Sequence, residues 1–329
     1  MKVYRFFILF FVLFCVCVLL GTLSCSTESS LQQILGTNAE APVFLDCHPV
    51  SPKELAFSFN KEVRVVSLNF NPSFRAEPVK EGSEVLVAFL DPLDEGIKVT
   101  ADILVEDEKG NTLNVIVPFR SRNDRMPALA INEIRTEYSK PKVEFVEFLA
   151  IESGNLGAMK LFIASYSPSK PVYEWNPAEV KKGEYMVLHL RTVEEGCLDE
   201  TGANLALSSG TDAQDSARDF WLSGTVKVLR KTDALWLEDQ DGRIIDAVLL
   251  GETADSIAGN AKVLEAAEFL AGKQAWSGSA FFTAGTTNTR TICRDETVPA
   301  GAKAGNWYIT ATSSATPGKP NNPKRYTPN

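Results

Sequence analysis

The chain has 329 residues, 23% of them charged, and a formal net charge of −9 at pH 7. This length is sufficient for two domains and too great for one small module. An acidic chain without a cluster of Lys or Arg is a poor candidate for nucleic-acid binding, because phosphate contacts depend on basic groups.

Residues 1–24 have the arrangement of an export signal. Lys2 and Arg5 give a short positive start, and the 15 residues from Phe6 to Leu20 contain no polar side chain. A helix needs about 20 apolar residues to cross the hydrocarbon core of a bilayer, so this run is too short for a transmembrane span. We therefore exclude the segment from the fold as a signal peptide.

Cys25 follows that apolar run and the small residue Ser24. The arrangement resembles a bacterial lipobox, in which the cysteine thiol is acylated before cleavage, although Thr22 and Leu23 depart from the usual residues. The alternatives are an ordinary signal peptide or an uncleaved anchor. Lipidation of Cys25 predicts a partner in membrane lipid and a place in the bacterial cell envelope, at the outer membrane. Anchoring becomes stable with more than one acyl chain.

The chain after residue 24 keeps four cysteines, Cys25, Cys47, Cys197 and Cys293. With Cys25 acylated, an odd number remains and no two are spaced as CxxC. Export permits a bridge between Cys197 and Cys293, but the sequence does not establish one.

Residues 25–41 are polar, and we predict a flexible tether. From residue 42 to 122 apolar and polar residues alternate with a period of two, as in half-buried strands. The turn 107–111 contains Gly110 and Asn111, which accept the positive φ that hairpin loops need. Short alternating strands at regular spacing predict an antiparallel β-sandwich.

Three segments of this first region resemble bacterial Ig-like domains of the surface-layer type. They are FSFNKEV (57–63), DPLDEG (91–96) and VEDEKGNTL (105–113). The resemblance implies a spacer or binding module and brings no catalytic residues.

A second domain is predicted over residues 127–323. Strand patterns occupy 128–153, 183–190 and 233–251, and the last is a hairpin around Asp241-Gly242, a favoured hairpin pair.

Two further segments complete this domain. Residues 261–274 are rich in Ala, Leu, Glu and Lys, with Val263, Leu264, Ala267 and Leu270 at helical spacing, and predict a short helix packed on a sandwich. The chain from Pro317 is rich in Pro, Asn and Lys and is predicted to be unstructured, with residues 324–329 as a disordered tail.

The second domain also resembles the bacterial lamin-tail domain through several segments that occur in order. These are INEI (131–134), EFVEFLA (144–150), GEYMVL (183–188), DALWLEDQDGRIIDAVLLG (233–251), TNTRTICRD (287–295), NW (306–307) and TPGKPN (316–321). The insert from Glu194 to Trp221 is longer than is usual in that family. The resemblance implies an Ig-like β-sandwich used for binding, often attached to surface proteins or extracellular hydrolases. The expected fold class is all-β, with two tandem Ig-like antiparallel sandwiches, the second carrying one short helix.

The chain has only two histidines, and neither accompanies a GxSxG nucleophile motif. We predict a structural or surface role for His48 and for His189. A reactive pair of Cys47 and His48 is the weaker alternative, because adjacent strand residues point to opposite faces. Zinc-ligand spacings and phosphate-binding loops are absent from the sequence. No catalytic residue, metal ligand or cofactor is therefore predicted.

Carboxylates are plentiful and admit two interpretations. Glu133 and Glu147 approach each other if their strands pair, which would give a cation site, while Glu144 and Glu147 lie on opposite faces of one strand. We favour solvated charges at strand edges. The segment Asp239-Gln240-Asp241-Gly242 lacks the third acidic ligand and the closing Glu of a calcium loop, and predicts a plain turn.

Four tryptophans, Trp175, Trp221, Trp276 and Trp307, are candidates for an exposed ligand platform, because Trp is enriched at binding hot spots. The alternative places them at the ends of a sandwich core. We assign Trp236 and Trp307 to the core.

These features predict two functions. The first is a non-enzymatic, membrane-anchored lipoprotein for adhesion or envelope scaffolding, with a protein or glycan partner. The second is an accessory binding subunit for a secreted or periplasmic nuclease or phosphoesterase. Direct enzymatic activity rests only on scattered carboxylates.

Overall fold

The computed structural model describes residues 40–297 and 302–328. These residues form two compact units. The first comprises residues 40–48, 54–90 and 100–118, and the second comprises residues 49–53, 91–99 and 119 onward. Both are built from β-strands, so the expected all-β sandwich class is confirmed.

The first unit contains a four-stranded sheet of order β1-β2-β5-β4 and a three-stranded sheet of order β3-β6-β7. The strands are β1 Phe44–Ser51, β2 Glu54–Phe59, β3 Arg64–Asn71, β4 Ala76–Lys80, β5 Glu84–Phe89, β6 Lys98–Glu106 and β7 Thr112–Arg120. Apolar residues of the alternating pattern are buried at Leu55 and Phe57 in β2 and at Ile103 in β6, whereas Val66 in β3 is exposed. Phe70 and Phe89 join the two sheets, with ring centroids 5.0 Å apart.

The β6–β7 turn forms as its sequence predicts. Asp107 Oδ1 accepts hydrogen bonds from the backbone N–H of Lys109 and of Asn111, both at 2.9 Å. Gly110 has a φ of 81°, which glycine adopts without steric cost.

The second unit contains a six-stranded sheet of order β15-β14-β9-β8-β19-β20 and a five-stranded sheet of order β12-β11-β16-β17-β18. The six-stranded sheet is formed by β8 Leu129–Arg135, β9 Phe145–Ala150, β14 Tyr185–His189, β15 Arg218–Trp221, β19 Ile292–Arg294 and β20 Trp307–Ile309. The five-stranded sheet is formed by β11 Lys160–Ile163, β12 Tyr173–Glu174, β16 Asp233–Glu238, β17 Ile244–Gly251 and β18 Phe281–Phe282. A separate short pair joins β10 Gly154–Asn155 and β13 Glu179–Val180.

Most of these pairs are antiparallel, as predicted, but β14–β15 and β17–β18 are parallel. Parallel neighbours require a long crossover connection. The insert between His189 and Arg218 supplies one, and the helix Ala261–Gly272 with its flanking loops supplies the other.

The predicted helix is α1, Ala261–Gly272, and Asn260 is its N-cap residue, whose side chain accepts a hydrogen bond from the Val263 N–H. Its buried residues are Val263, Ala266 and Leu270, while Leu264 remains 37% exposed. In the part of the chain that the structure describes, no helix is long and apolar enough to cross a membrane. The predicted signal peptide and Cys25 lie outside that part.

Candidate functional site

Glu133 and Glu147 lie directly opposite each other on β8 and β9, and both side chains are completely buried. The expectation of solvated strand-edge charges is wrong. β8 and β9 are inner strands of the six-stranded sheet, and all seven residues of β8 are buried. Other segments cover the face on which a polar residue would ordinarily meet water.

The carboxylate of Glu133 is bound by three donor groups from distant parts of the chain. The Thr291 hydroxyl donates to Oε1, and the backbone N–H and hydroxyl of Thr316 donate to Oε2 at 3.0 and 3.2 Å. Burial raises the pKa of Glu133, although these hydrogen bonds oppose the shift.

Glu147 has a comparable set of donors. The Asn132 side-chain amide donates to Oε1 at 2.9 Å, and the Gly318 backbone N–H donates to Oε2 at 2.5 Å. Burial, and then the neighbouring charge of Glu133, hold the pKa of Glu147 well above its usual range. The pair therefore retains a proton at pH values where an exposed pair would be fully ionised.

The segment 316–321, TPGKPN, is hydrogen-bonded to this pair of glutamates and to the six-stranded sheet. The Asn321 amide donates to the backbone carbonyls of Asn132 and Arg294 at 3.2 and 2.9 Å. The backbone N–H of Asn321 donates to Glu296 at 3.2 Å. We refer to residues 311–328 as the C-terminal strap.

The strap corrects the prediction of an unstructured tail. Tyr326 N–H donates to the Ile309 carbonyl at 2.8 Å, and Arg325 pairs with Asp295 at 2.6 Å. The sequence composition suggested disorder because Pro, Asn and Lys form few regular elements. Specific polar contacts order the segment instead.

Another carboxylate of this region, that of Asp246 on β17, is half-buried. Asp246 accepts hydrogen bonds from the Ile131 backbone N–H, at 2.7 Å, and from the Arg294 guanidinium, which also lies 4.5 Å from the Trp307 ring centroid. Burial raises the pKa of Asp246 despite the charge of Arg294. The INE, RD, NW and PGKPN segments thus meet in one region.

In the buried network formed by Glu133, Glu147 and their donors, each of the four carboxyl oxygens accepts a hydrogen bond. These oxygens accept hydrogen bonds from three segments of the chain, those of Asn132, of Thr291 and of Thr316 with Gly318, so the contacts join these segments to β8 and β9. Within residues 40–297 and 302–328, no group of three or more His, Cys, Asp or Glu side chains is placed to hold a metal ion.

His189 is completely buried at the end of β14. Its Nε2 lies 2.8 Å from Asp219 Oδ1, and its ring stacks on Trp221 with centroids 3.8 Å apart. Asp219 is held in turn by Glu200, a buried residue of the insert, whose Oε2 accepts the Asp219 backbone N–H at 2.8 Å. These contacts join β14 to β15 and to the insert.

His48 is exposed, and its Nδ1 lies 2.7 Å from Asp46 Oδ2. Burial raises the pKa of the neighbouring Cys47 thiol to about 12. A thiol with so high a pKa is a poor nucleophile at neutral pH. The contacts therefore give no support to a reactive pair of Cys47 and His48.

Cys197 and Cys293 are both free, so the bridge left open by the sequence is not formed. Cys293 is buried in β19, and burial followed by the charge of Glu133 holds its pKa well above the usual range.

The tryptophans do not form an exposed platform. All five are buried, namely Trp175, Trp221, Trp236, Trp276 and Trp307. Trp175 contacts Phe148 and Phe220 edge-on, and Trp236 stacks on Phe162 at 5.0 Å. Their apolar area therefore stabilises the core.

The turn predicted at Asp239 is present. Asp239 Oδ1 accepts the backbone N–H groups of Asp241 and Arg243, at 2.9 and 2.8 Å, and Gly242 has a φ of 76°.

The sequence pattern indicated Glu133 and Glu147 but not their partners Asn132, Thr291, Thr316 and Gly318. These partner residues belong to the INE, TNTRTICRD and TPGKPN segments. Their meeting depends on contacts between residues more than 150 positions apart, as with Glu133 and Thr291, which no local pattern reports.

Comparison with known proteins places the chain in a family. Residues 127–309 match the family model TP_1001_2nd, described as a protein second domain. The chain is also similar to a protein of Treponema pallidum (strain Nichols) that is described as uncharacterized. The two are 30% identical over 290 residues, which cover 82% of this chain and 73% of the Treponema protein. The matched residues begin just before β8 and end with β20, and so include both buried glutamates. The chain therefore belongs to the TP_1001_2nd family.

Proposed function

We propose that this chain is a lipid-anchored lipoprotein of the bacterial cell envelope, with a non-enzymatic role in binding or scaffolding. The observation that carries the proposal is the position of Cys25, directly after a basic start, an apolar run too short to span a bilayer, and Ser24. Acylation of this cysteine would attach the chain to membrane lipid, and a polar tether over residues 26–41 would separate the lipid from the folded units.

Two domain assignments belong to the same proposal. Residues 42–122 are interpreted as an Ig-like domain of the surface-layer type, and residues 127–323 as a lamin-tail-like domain. The strand order and the meeting of the INE and TPGKPN segments at Glu133 and Glu147 are compatible with these assignments.

The non-enzymatic role is supported by the enclosure of His189, Glu133 and Glu147 within the protein. His189 is enclosed by Asp219 and Trp221, and Glu133 and Glu147 are bound by backbone and side-chain donors. A general base must reach the proton that it removes. These groups have no exposed surface.

Lipidation is tested by metabolic labelling of the full chain with an alkyne fatty acid in a bacterial host. We expect Cys25→Ser to abolish labelling and to release the protein from the membrane fraction. Cys17→Ser, within the apolar run, is the matched control and should leave labelling unchanged. Labelling that survives in Cys25→Ser would show that the N-terminal assignment is wrong.

The accessory role for a nuclease or phosphoesterase is a second candidate, favoured by the lamin-tail resemblance. Capture of partners from an envelope extract, with the full chain in detergent as the bait, distinguishes the accessory role from the adhesion role. Recovery of a hydrolase that cleaves phosphoesters would support the accessory role, whereas recovery of matrix protein or glycan would support adhesion.

A further inference from the structure

The C-terminal strap is closed at its base. The Ala311 N–H donates to the Lys324 carbonyl at 2.9 Å. Beside this contact, the Tyr326 N–H donates to the Ile309 carbonyl at 2.8 Å. Residues 312–323 therefore form a loop whose two ends meet next to β20, as in surface loops of the Ω type. Such a loop can leave the sheet while its base and the strand pairs stay intact.

The middle of the strap is held mainly by polar contacts with the buried glutamates. Apart from Pro317 and Gly318, every residue of the strap is at least partly exposed. Thr316 donates its backbone N–H and its hydroxyl to Glu133, and the Gly318 N–H donates to Glu147. Because only two small residues are buried, little apolar area holds this part of the loop. Its attachment therefore depends on the state of the two carboxyl groups.

The two glutamates lie where a pair of charges would repel. Glu133 and Glu147 are directly opposite in the β8–β9 ladder. Side chains at such positions have Cβ atoms about 5 Å apart, and like charges there destabilise the sheet. While the strap is in place, neither glutamate is exposed to water. Ionisation of both glutamates would place two negative charges side by side without water, and detachment of the strap would hydrate them.

The groups that face Glu133 do not compensate a second negative charge. Arg135, also on β8, lowers the pKa of Glu133, but its guanidinium is paired with Asp212 of the insert. Cys293 lies opposite Glu133 on the neighbouring strand β19. Its thiol is neutral, because burial and the charge of Glu133 hold its pKa well above the usual range.

The groups that face Glu147 are neutral or negative. Glu296, which follows β19, contributes a negative charge that raises the pKa of Glu147. The Tyr185 hydroxyl, on β14, and the Asn132 amide, on β8, both donate to Glu296, at 3.2 and 2.9 Å. From the strap, Glu147 receives the uncharged N–H of Gly318. Repulsion within an ionised pair is therefore not offset on this side.

We propose that the strap is a proton-dependent latch, which covers β8 and β9 while Glu133 and Glu147 hold a proton between them and whose middle detaches when both are ionised. A pair with one proton carries a single negative charge, and the hydrogen bonds from Thr316 and Gly318 accommodate it. The covered state binds more protons than the open state, so rising pH favours detachment. Detachment uncovers the outer face of β8 and β9 around the pair. The latch is a property of the fold and does not depend on the lipid anchor.

The test is hydrogen exchange of the full chain in detergent micelles, measured by mass spectrometry over a pH series and corrected for intrinsic exchange rates. Peptides spanning 315–321 report on the strap, and peptides spanning 129–135 report on β8. We expect the protection of the strap to fall by up to about tenfold per pH unit as pH rises above about 4, for one proton released on detachment. At each pH, the strap should be at least about tenfold less protected than β8, because it opens without unfolding of the sheet.

Charge removal tests the cause of the detachment. Glu133→Gln combined with Glu147→Gln keeps acceptor oxygens and removes both ionisable groups, so the protection of the strap should change by less than about twofold across the same series. Glu268→Gln, at an exposed position of α1, is the matched control and should keep the pH dependence of the unmodified chain.

Three results would overturn the inference. They are protection of the strap that does not vary with pH, protection of the strap equal to that of β8 at every pH, and an unchanged pH dependence in the double variant. The first two are measured on the unmodified chain and so do not depend on the folding of a variant. Fatty-acid labelling has no part in these measurements, so the lipid anchor and the latch stand or fall separately.

Discussion

The two units bury different kinds of residue. The interior of the first unit is almost entirely apolar, and Asp107 is its single buried charged residue among those described. The second unit buries carboxylates, arginines and a histidine, including Glu133, Glu147, Arg218 and His189. Both are β-sandwiches, so the difference does not come from the class of fold.

The difference comes from the outer faces of the sheets. In β6 the burial alternates strictly, with each inward residue buried and each outward residue half-buried or exposed. In β8 every residue is buried. The C-terminal strap and the insert after β14 cover the second face, through contacts such as Thr316 with Glu133 and Glu200 with Asp219. A polar residue at an alternating position is therefore solvated in one unit and buried in the other.

The positions of the tryptophans allow the unfolding of the two units to be measured separately. All five tryptophans lie between residues 175 and 307, in the second unit. Tryptophan fluorescence consequently follows the unfolding of that unit, while hydrogen exchange of β6 amides follows the first.

The largest effect is expected at the buried network. Glu147→Ala removes the acceptor for the Asn132 amide and the Gly318 N–H, so two buried donors lose their partner. We expect the free energy of unfolding of the second unit to fall by about 3 kcal/mol, measured by denaturant titration of tryptophan fluorescence. Glu147→Gln keeps an acceptor oxygen and should cost less than half as much. Equal losses in the two variants would contradict this explanation.

A second test concerns the strap itself. Gly318 has a φ of 75°, and an added Cβ would lie 2.7 Å from the Ala217 Cβ. We expect Gly318→Ala to lower the free energy of unfolding by about 2 kcal/mol, from backbone strain and the clash together.

Gly183 provides the control for Gly318, because its φ is 83° and an added Cβ would meet no atom within 4 Å. Gly183→Ala should therefore show the backbone cost alone, about 1 kcal/mol. Equal effects at the two glycines would mean that the strap does not pack as tightly as the structure indicates.

The third test is the dependence of stability on pH. The pKa values of Glu133, Glu147 and Asp233 are raised by burial, that of Asp233 to about 6. The folded second unit therefore binds more protons than the unfolded chain. This stabilisation is complete below the unfolded pKa values, near pH 4, and is lost as pH rises through the folded ones.

We accordingly expect the free energy of unfolding of the second unit to fall as pH rises from about 4 through the raised pKa values of the folded state, by up to about 1.4 kcal/mol per pH unit for each extra proton. Glu133→Gln combined with Glu147→Gln should flatten the profile. The first unit should differ, because hydrogen bonds from Asn111 lower the pKa of Asp107 to about 2. Its contribution is present above pH 4 and is lost as pH falls towards 2. An equal pH dependence of the free energy of unfolding in both units would contradict the predicted difference between them.

The smallest effect is expected on the outer face of β6. Asp102 is half-buried and lies opposite Asn69 in the ladder. Asp102→Ala should change the free energy of unfolding of the first unit by less than about 0.5 kcal/mol, measured by hydrogen exchange of β6 amides. Its inward neighbour Ile103 is completely buried, and Ile103→Ala should cost about 3 kcal/mol.

Local patterns predicted several of the main elements of this protein, but not the short strands β12, β15 and β18. Period-two alternation predicted the strands of the first unit, and Gly110 and Asp241-Gly242 predicted turns where they are found, because φ preferences are properties of single residues. Helical spacing predicted α1 to within a few residues of its observed bounds.

The sequence by itself determined the all-β class, the positions of the longer strands and the turns at Gly110 and Asp241-Gly242, since these depend on residues close together in the chain. Only the tertiary structure decided that Glu133 and Glu147 are buried, that TPGKPN is fastened to them, and that every tryptophan lies in the core. Burial depends on which distant segments cover a sheet face. The segment that covers Glu133 contains Thr316, 183 residues further along the chain.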